Sequence, residues 1–271
     1  MSALLGFDGA RRRSRWPVVI ACVLLLVTVF GPLWPTSPSA TDLDHMREGP
    51  SWAHPFGTDD TGRCVLARLI NGARSTIGTS LVGVALAAAI GIALGALAGM
   101  RRGVVDRIVL QAIEVFVCFP TLLLLLAIGA CFGSSPMAVV AAFAATMWPS
   151  FARSVRGELL SLREREFVAT ARDLGVRGFA LFRGHLWPSL RGQAAVVAAF
   201  CMAHAIVAES TLSFLGIGPG VQAGSWGSVL AQGKADAHLW VWHLWVFPGA
   251  LIAGSVWCCH ALADRFRWRE V

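Results

Sequence analysis

Charge is what this sequence has least of. Asp, Glu, Lys and Arg make up 14% of its 271 residues, while 56% are hydrophobic and the mean hydropathy is +0.63. Soluble domains carry roughly 25% charged residues, so the composition excludes an ordinary water-facing globule and points to a bilayer. Lysine is nearly missing: Lys234 stands alone beside 22 Arg. The seven cysteines are an odd number and include no CxxC pair, which argues against a disulfide framework and a zinc site. Six of them, Cys22, Cys118, Cys131, Cys201, Cys258 and Cys259, lie in apolar stretches, where cysteine behaves as a small hydrophobe. Cys64 alone lies in a polar segment.

Several chemistries are missing as well. No glycine-rich phosphate loop ends in Gly-Lys-Ser/Thr; Lys234 follows Gly233, but the spacing and the next residue are wrong. The chain is therefore not expected to hydrolyse ATP by itself or to hold a cofactor. HExxH and GxSxG are absent, and the histidines at 45, 54, 185, 204, 238, 243 and 260 form no sequence cluster. A membrane enzyme would have no visible catalytic set. No tandem repeat is evident.

What the sequence has is long apolar runs. A helix needs about 20 apolar residues to cross the hydrocarbon layer. Charge-free stretches predict spans at about 17–34, from Ser75 to Met100, from near Ile108 to near Cys131, and at about 137–152, 190–214 and 241–262. Gly133, Ser134, Ser135 and Pro136 mark a turn between the third and fourth. The expected fold class is an all-α membrane protein with about six transmembrane helices. A cytoplasmic N-terminus puts Arg11, Arg12, Arg13, Arg15, Arg101, Arg102, Arg107, the eight arginines from Arg153 to Arg191, and Arg265, Arg267 and Arg269 inside. Only Arg47, Arg63, Arg68, Arg74 and Lys234 then fall outside. The excess of Arg and Lys on cytoplasmic loops selects this orientation, with both termini inside. RRRSRW before an apolar run also fits a signal peptide, with Ser37-Pro38-Ser39-Ala40 as a candidate cleavage site, although the neighbouring prolines weigh against it. The other five spans keep their orientation either way. The outer loops at 35–75 and 216–240 are too short for an independent catalytic domain; the first contains a candidate short helix, Cys64 to Ala73.

Ionisable groups inside spans are costly and mark candidate functional positions. Glu114 lies about two turns into the third span, either near the cytoplasmic interface, snorkelling or paired with Arg107, or on a pathway. Glu209 lies about twenty residues into the fifth, either as a packing carboxylate satisfied by Ser210 or Thr211, or as a gate or pathway wall. Met202 and His204 share that span. A metal ligand is conceivable there, but a lone intramembrane His is more often a hydrogen-bonded packing residue. A proton-driven carrier would need a longer chain of such groups.

Between the fourth and fifth spans the chain makes its one long polar excursion, including EFVATARDLGVRGFALFRGHLWP from Glu166 to Pro188. Phe167, Ala171 and Leu174 fall at i, i+4 and i+7, predicting one apolar helix face. Asp173 and Arg177 have i, i+4 spacing. Gly175 suits a helix end, and Pro188 marks the start of the next span. Spacing alone leaves two readings level: a helix lying on the lipid surface, or one docked in a groove of a soluble partner.

Ala169-Thr170-Ala171, three residues, Gly175, nine residues and His185-Leu186-Trp187-Pro188 resembles the EAA loop of ABC importer permeases. That pattern reads Glu-Ala-Ala, three residues, Gly, nine residues, Ile-x-Leu-Pro. Ala171, Gly175 and Pro188 keep it, while Ala169, Thr170, His185 and Trp187 depart from it. His54-Pro55-Phe56-Gly57-Thr58-Asp59, Gly62-Arg63, Arg68-Leu69-Ile70 and Gly72-Ala73-Arg74 resemble the dipeptide, oligopeptide and nickel branch, with Cys64 where Asp is usual. Phe119-Pro120, Ser161-Leu162-Arg163, Ala208-Glu209, Leu212-Ser213-Phe214-Leu215-Gly216, Ser225-Trp226-Gly227 and Phe247-Pro248-Gly249 extend the likeness over about residues 54 to 265.

The resemblance implies a type I ABC importer permease fold in a bacterial inner membrane. The parts would be a cytoplasmic N-terminus (1–16), a first transmembrane helix (17–34), a periplasmic segment (35–75), a core permease domain (76–265) with a cytoplasmic coupling loop (153–189), and a cytoplasmic tail (266–271). It further implies a non-catalytic subunit paired with a second permease, usually a different chain. Two ATPase subunits carrying ATP and Mg would lie below, and a periplasmic or lipid-anchored substrate-binding protein above; nucleic acid plays no part. Glu166, Ala169, Thr170, Ala171, Asp173, Gly175, His185 and Pro188 would form the ATPase contact. Peptides are the expected cargo, with nickel or a metal–opine chelate as the alternative. A stand-alone secondary carrier is the rival from another class.

Overall fold

The computed structural model describes residues 16–31, 37–101, 103–133, 135–218 and 224–267. The expectations resting on Arg11 to Arg15, Arg102, Ser134, the end of the first span at 32–34, Arg269 and most of the tail lie outside these residues. Among the described residues the regular secondary structure is helical, apart from an isolated antiparallel bridge between Thr58 and Cys64. We number the helices α1 (Trp16–Phe30), α2 (Val65–Ala73), α3 (Thr79–Met100), α4 (Val104–Cys118), α5 (Thr121–Phe132), α6 (Pro136–Leu162), α7 (Glu166–Asp173), α8 (Gly178–Leu181), α9 (Trp187–Phe214), α10 (Trp226–Ala235) and α11 (His243–Arg267).

Among the described residues, four continuous helical stretches are long and apolar enough to cross a membrane: Val65–Met100, Pro136–Leu162, Gly178–Phe214 and His243–Arg267. Three differ from the expected spans in instructive ways. The candidate short helix at Cys64 to Ala73 and the second span form one 36-residue rod, joined by the wider π-helical turn Arg74–Gly78. The fifth span starts upstream of Pro188, because a second π turn, Phe182–Leu186, carries α8 into α9 and leaves Pro188 near the N-terminus of α9. Proline is tolerated there because the wider π turn before it, closed by the Trp187 N–H on the Phe182 carbonyl, already interrupts the regular i→i−4 ladder. The fourth runs ten residues past the expected end at 152, to Leu162.

The third expected span is not a straight crossing. α4 and α5 meet at 85° across Phe119-Pro120. Phe119 is extended, at φ −84° and ψ 132°, as steric conflict with a following proline ring requires. The first span is represented by a shorter apolar helix, Val18–Phe30, whose Leu24 and Val27 pack on the cluster built around Val65, Leu69, Ile206 and Leu244.

The centre of the bundle is the α3–α6 pair. Lipid is as apolar as Leu, so helices in a bilayer associate through close van der Waals fit more than through hydrophobic exclusion. α3 turns Gly83, Gly91, Gly95 and Gly99 towards α6. A Cβ on Gly91 would lie 2.4 Å from the Trp148 carbonyl oxygen, and one on Gly95 would lie 2.6 Å from that of Ala152. These neighbours are backbone and cannot move aside. Phe143, Phe151 and Ala152 fill the remaining space and are completely or almost completely buried. Two buttresses tie the cytoplasmic ends together. Arg156 grips Asp106 with two bonds, Nε to Oδ1 at 2.5 Å and Nη2 to Oδ2 at 2.9 Å. Arg163 Nη1 donates to the carbonyls of Gly99 at 2.7 Å and Met100 at 3.2 Å, capping α3. Gly95→Val is therefore expected to destabilise the bundle by about 1–3 kcal/mol or more through overpacking. Gly254→Ala, where nothing lies within 4 Å of the new Cβ, should be neutral. Thermal unfolding of the detergent-purified chain, followed by size-exclusion elution, measures both.

Candidate functional site

The cytoplasmic excursion is built outward from a small core. Val168 and Ala171 are buried with Val155, Leu159, Leu181, Leu186 and Leu190. The predicted face of Phe167, Ala171 and Leu174 is therefore corrected: Val168 and Ala171, three residues apart, face inward. Phe167 is 44% and Leu174 79% exposed. Leu174 follows the last turn of α7, so the i+7 count runs past the helix on which it was based.

Gly175 ends the helix as expected. Its φ is +85°, the left-handed conformation that glycine adopts without a Cβ penalty. The Val176 N–H reaches back to the Ala171 carbonyl at 3.0 Å, and both side chains join the same buried cluster, as in a Schellman cap with its apolar contact. Because the helix stops at Asp173, the expected helical pair between Asp173 and Arg177 has no helix on which to form. Glu166, Ala169, Thr170, Asp173, Gly175, His185 and Pro188 are exposed. Of the residues assigned to the partner contact, only Ala171 is buried.

The opposite, outer end is a polar clamp. Arg68 on α2 is 4% exposed and Asp59 is completely buried. Arg68 Nη1 donates to Asp59 Oδ2 at 2.5 Å and also to the side-chain oxygen of Gln232 on α10. Asp59 Oδ1 accepts from the backbone N–H groups of Thr61 and Arg63, each at 2.9 Å, and Arg63 Nε donates to Oδ2 at 2.8 Å. His243 Nε2 donates to the Thr58 carbonyl at 2.9 Å. Trp226 Nε1 donates to the Leu69 carbonyl at 2.8 Å, and Phe56 stacks on Phe247 with ring centroids 4.0 Å apart. A Cβ on Gly227 would lie 2.1 Å from the Ser210 carbonyl oxygen. Segments separated by up to 190 residues of chain thus meet at one corner.

Comparison with known proteins gives this architecture a family. Residues 91–267 match the family described as the binding-protein-dependent transport system inner membrane component. The chain belongs to this family. A Brucella suis protein provisionally named a peptide permease is 35% identical over 260 residues, covering 94% of this chain and 85% of the relative. The oligopeptide transport system permease OppC of Haemophilus influenzae is 31% identical over 252 residues, covering 92% of this chain and 81% of that one. Among solved structures, the inward-facing MetNI methionine ABC transporter aligns with a TM-score of 0.62 at 18% identity, over 76% of this chain and 96% of the other. That likeness confirms the type I importer permease fold. The chain is thus an ABC importer permease of the oligopeptide branch and a multi-pass protein of the bacterial inner membrane.

Within the permease, a cavity of about 300 Å³ is lined by Thr121, Thr146, Ser150, Phe200, Cys201 and His204, among others. His204 is exposed to it, and the hydroxyls of Thr146 and Ser150, one helical turn apart on α6, share it. Sequence reasoning found His204 but passed over Thr121, Thr146 and Ser150; the i, i+4 spacing of the last two was the available signal. Met202 does not join them, since it packs among the core side chains around Val84 and Leu69. No group of three or more His, Cys, Asp or Glu gathers among the described residues. Glu114 is exposed on α4, ahead of the bend. Glu209 is completely buried, and its expected partners are corrected: Ser213, one turn on, donates to Oε1 at 2.8 Å. The Thr211 hydroxyl instead bonds the Val207 carbonyl at 2.8 Å, Thr76 also faces the Glu209 carboxyl, and the Ser210 hydroxyl has no hydrogen-bond partner among the described residues.

Burial alone would raise the pKa of Asp59. The Arg68 charge, the N–H groups of Thr61 and Arg63, and the Arg63 side chain outweigh it and hold the carboxyl below its usual range. A lowered folded pKa contributes stability above the unfolded value of about 3.9, and this contribution is lost as pH falls through the folded value. Asp59→Asn should cost about 3–5 kcal/mol at pH 7, because it leaves Arg68 buried without its counter-charge. The gap between variant and wild type should then close below about pH 4. Thermal midpoints measured from pH 7 to pH 3 check this, and a gap constant across that range would refute it.

Proposed function

We propose that this permease forms half of a peptide translocation pathway and is driven by a separate ATPase that grips the loop from Glu166 to Pro188. One observation carries the reading. α7 is pinned to the bundle by Val168 and Ala171, while Phe167 on its outer side and Leu174 just past its end stay exposed. An amphipathic helix with both faces apolar at its ends suits a groove in a second protein, where the outward side chains are buried on docking. Arg163 ties the start of the loop to the end of α3, Arg156–Asp106 ties α6 to α4, and Val168 and Ala171 pack the loop on α6 and α9, so displacing it moves membrane helices as well.

In this reading the chain catalyses no reaction; ATP and Mg stay on the partner ATPases. A second permease supplies the other half of the pathway, and a binding protein delivers cargo at the outer face. ATP binding drives the cycle only by favouring one arrangement of the spans over the other, since a ligand shifts states through differential affinity. The names of the relatives support peptide as the cargo. So does the cavity at His204, whose hydroxyls and imidazole suit amide groups.

Gly175→Glu forces an L-residue into the left-handed region, which costs about 1–2 kcal/mol, and adds a charge on the docking side. It is expected to abolish uptake by the assembled transporter while the protein remains in the membrane; normal uptake would count heavily against docking there. A cysteine introduced as Thr170→Cys should crosslink to the ATPase in membranes. The purified chain alone in proteoliposomes should transport nothing, and uptake driven by an ion gradient would favour a stand-alone carrier.

A further inference from the structure

A second, larger cavity of about 1000 Å³ opens between α3 and the α8–α9 corner. Most of its depth is hydrocarbon: Ala93 and Leu97 of α3 face Phe179 and Phe182, and Phe179 is 73% exposed. Charge lies at the C-terminal end of α3, where Arg101 follows Met100 and Arg163 bonds the Gly99 and Met100 carbonyls; Arg177 also lines the cavity, and Asp173 is its one acidic lining residue. Arg163 is held in place by the carbonyls that cap α3.

Depth and polarity together indicate the occupant. The α3 wall runs from Ala89 to Met100, about 16 Å at 1.5 Å per residue. That is half the roughly 30 Å hydrocarbon thickness of a bilayer. Arg101 follows at once, on the cytoplasmic side of the helix. The cavity is therefore one leaflet deep, apolar inside and cationic where the headgroups lie. Three guanidinium groups against one carboxylate leave it net positive.

We propose that this groove holds an anionic glycerophospholipid of the cytoplasmic leaflet, with its phosphate among Arg101, Arg163 and Arg177 and an acyl chain along the α3–Phe179 wall. A zwitterionic lipid matches the hydrocarbon but not the charge. A soluble phosphate matches the charge but leaves the apolar depth unfilled. The bound lipid braces the segment that directly follows the α7 lever.

The test is native mass spectrometry of the detergent-purified full-length chain, alone and assembled with its partner permease and ATPases, with equal additions of phosphatidylglycerol and phosphatidylcholine. Wild type should retain phosphatidylglycerol preferentially in both forms. Each neutralised arginine should weaken retention about fivefold, so Arg177→Gln loses that factor and Arg101→Gln with Arg177→Gln about 25-fold. Arg107→Gln, an exposed arginine of the same membrane face outside the groove, should retain lipid as wild type does. Ala93→Trp should expel the lipid by filling the apolar wall while every arginine remains, and its thermal midpoint reports that it is folded. Equal retention of the two lipids overturns the proposal. So does an equal loss in Arg107→Gln, unchanged retention in folded Ala93→Trp, displacement by inorganic phosphate at matched concentration, or loss of the lipid on assembly.

Discussion

The buried guanidinium of Arg68 is the contact on which the outer half of this permease depends. A charge taken out of water is costly unless it is paired and hydrogen-bonded. Arg68 meets that condition only when the segment around Asp59, the helix α2 and the helix α10 are all in place at once. The requirement explains why residues far apart in the chain converge there. Trp226 closes over the Leu69 carbonyl, His243 reaches the Thr58 carbonyl, and Phe56 lies on Phe247. An outer segment too small for a core of its own becomes a lid whose position is set by the ends of three helices.

Beneath the clamp, the bundle is held by fit. The glycine face of α3 lets the α6 backbone approach closely enough that backbone atoms of one helix touch those of the other. Such packing gives a stiff pair of rods. The two π-helical turns sit where the long helices leave that rigid centre. Arg74–Gly78 joins α3 to the outer clamp, and Phe182–Leu186 joins α9 to the cytoplasmic loop. π turns inside α-helices occur often at functional sites. Here they carry each helix on without a break, so that Val65–Met100 and Gly178–Phe214 stay continuous.

The end of the bundle at α7 combines an anchored helix and a groove in a few residues. Asp173, the last residue of α7, and Arg177 and Phe179 just beyond it line the groove. Arg163 caps α3 and also stands at the groove's cationic end. Motion of the loop and occupancy of the groove therefore act on the same backbone. The helix α7 is thus anchored on one side by protein packing and borders the leaflet-deep cavity at its end.

Much of this was legible in the amino-acid sequence. Apolar run lengths determined a membrane protein, and the placement of arginines predicts that its polar excursion faces inside, because hydrocarbon thickness and loop charge act on composition alone. Gly175 as a helix end was equally readable, since a left-handed cap is a local demand of the backbone. Tertiary structure decided the rest. Pro120 bends the third span by 85°, and π turns carry two helices through expected ends; local signals cannot say whether a break is absorbed or becomes a corner. It also decided that Val168 faces inward where Phe167 was expected to, because the supporting cluster comes from α6, α8 and α9. The meeting of Arg68 with Gln232 was invisible for the same reason: satisfaction of a buried polar group depends on which distant segment arrives beside it.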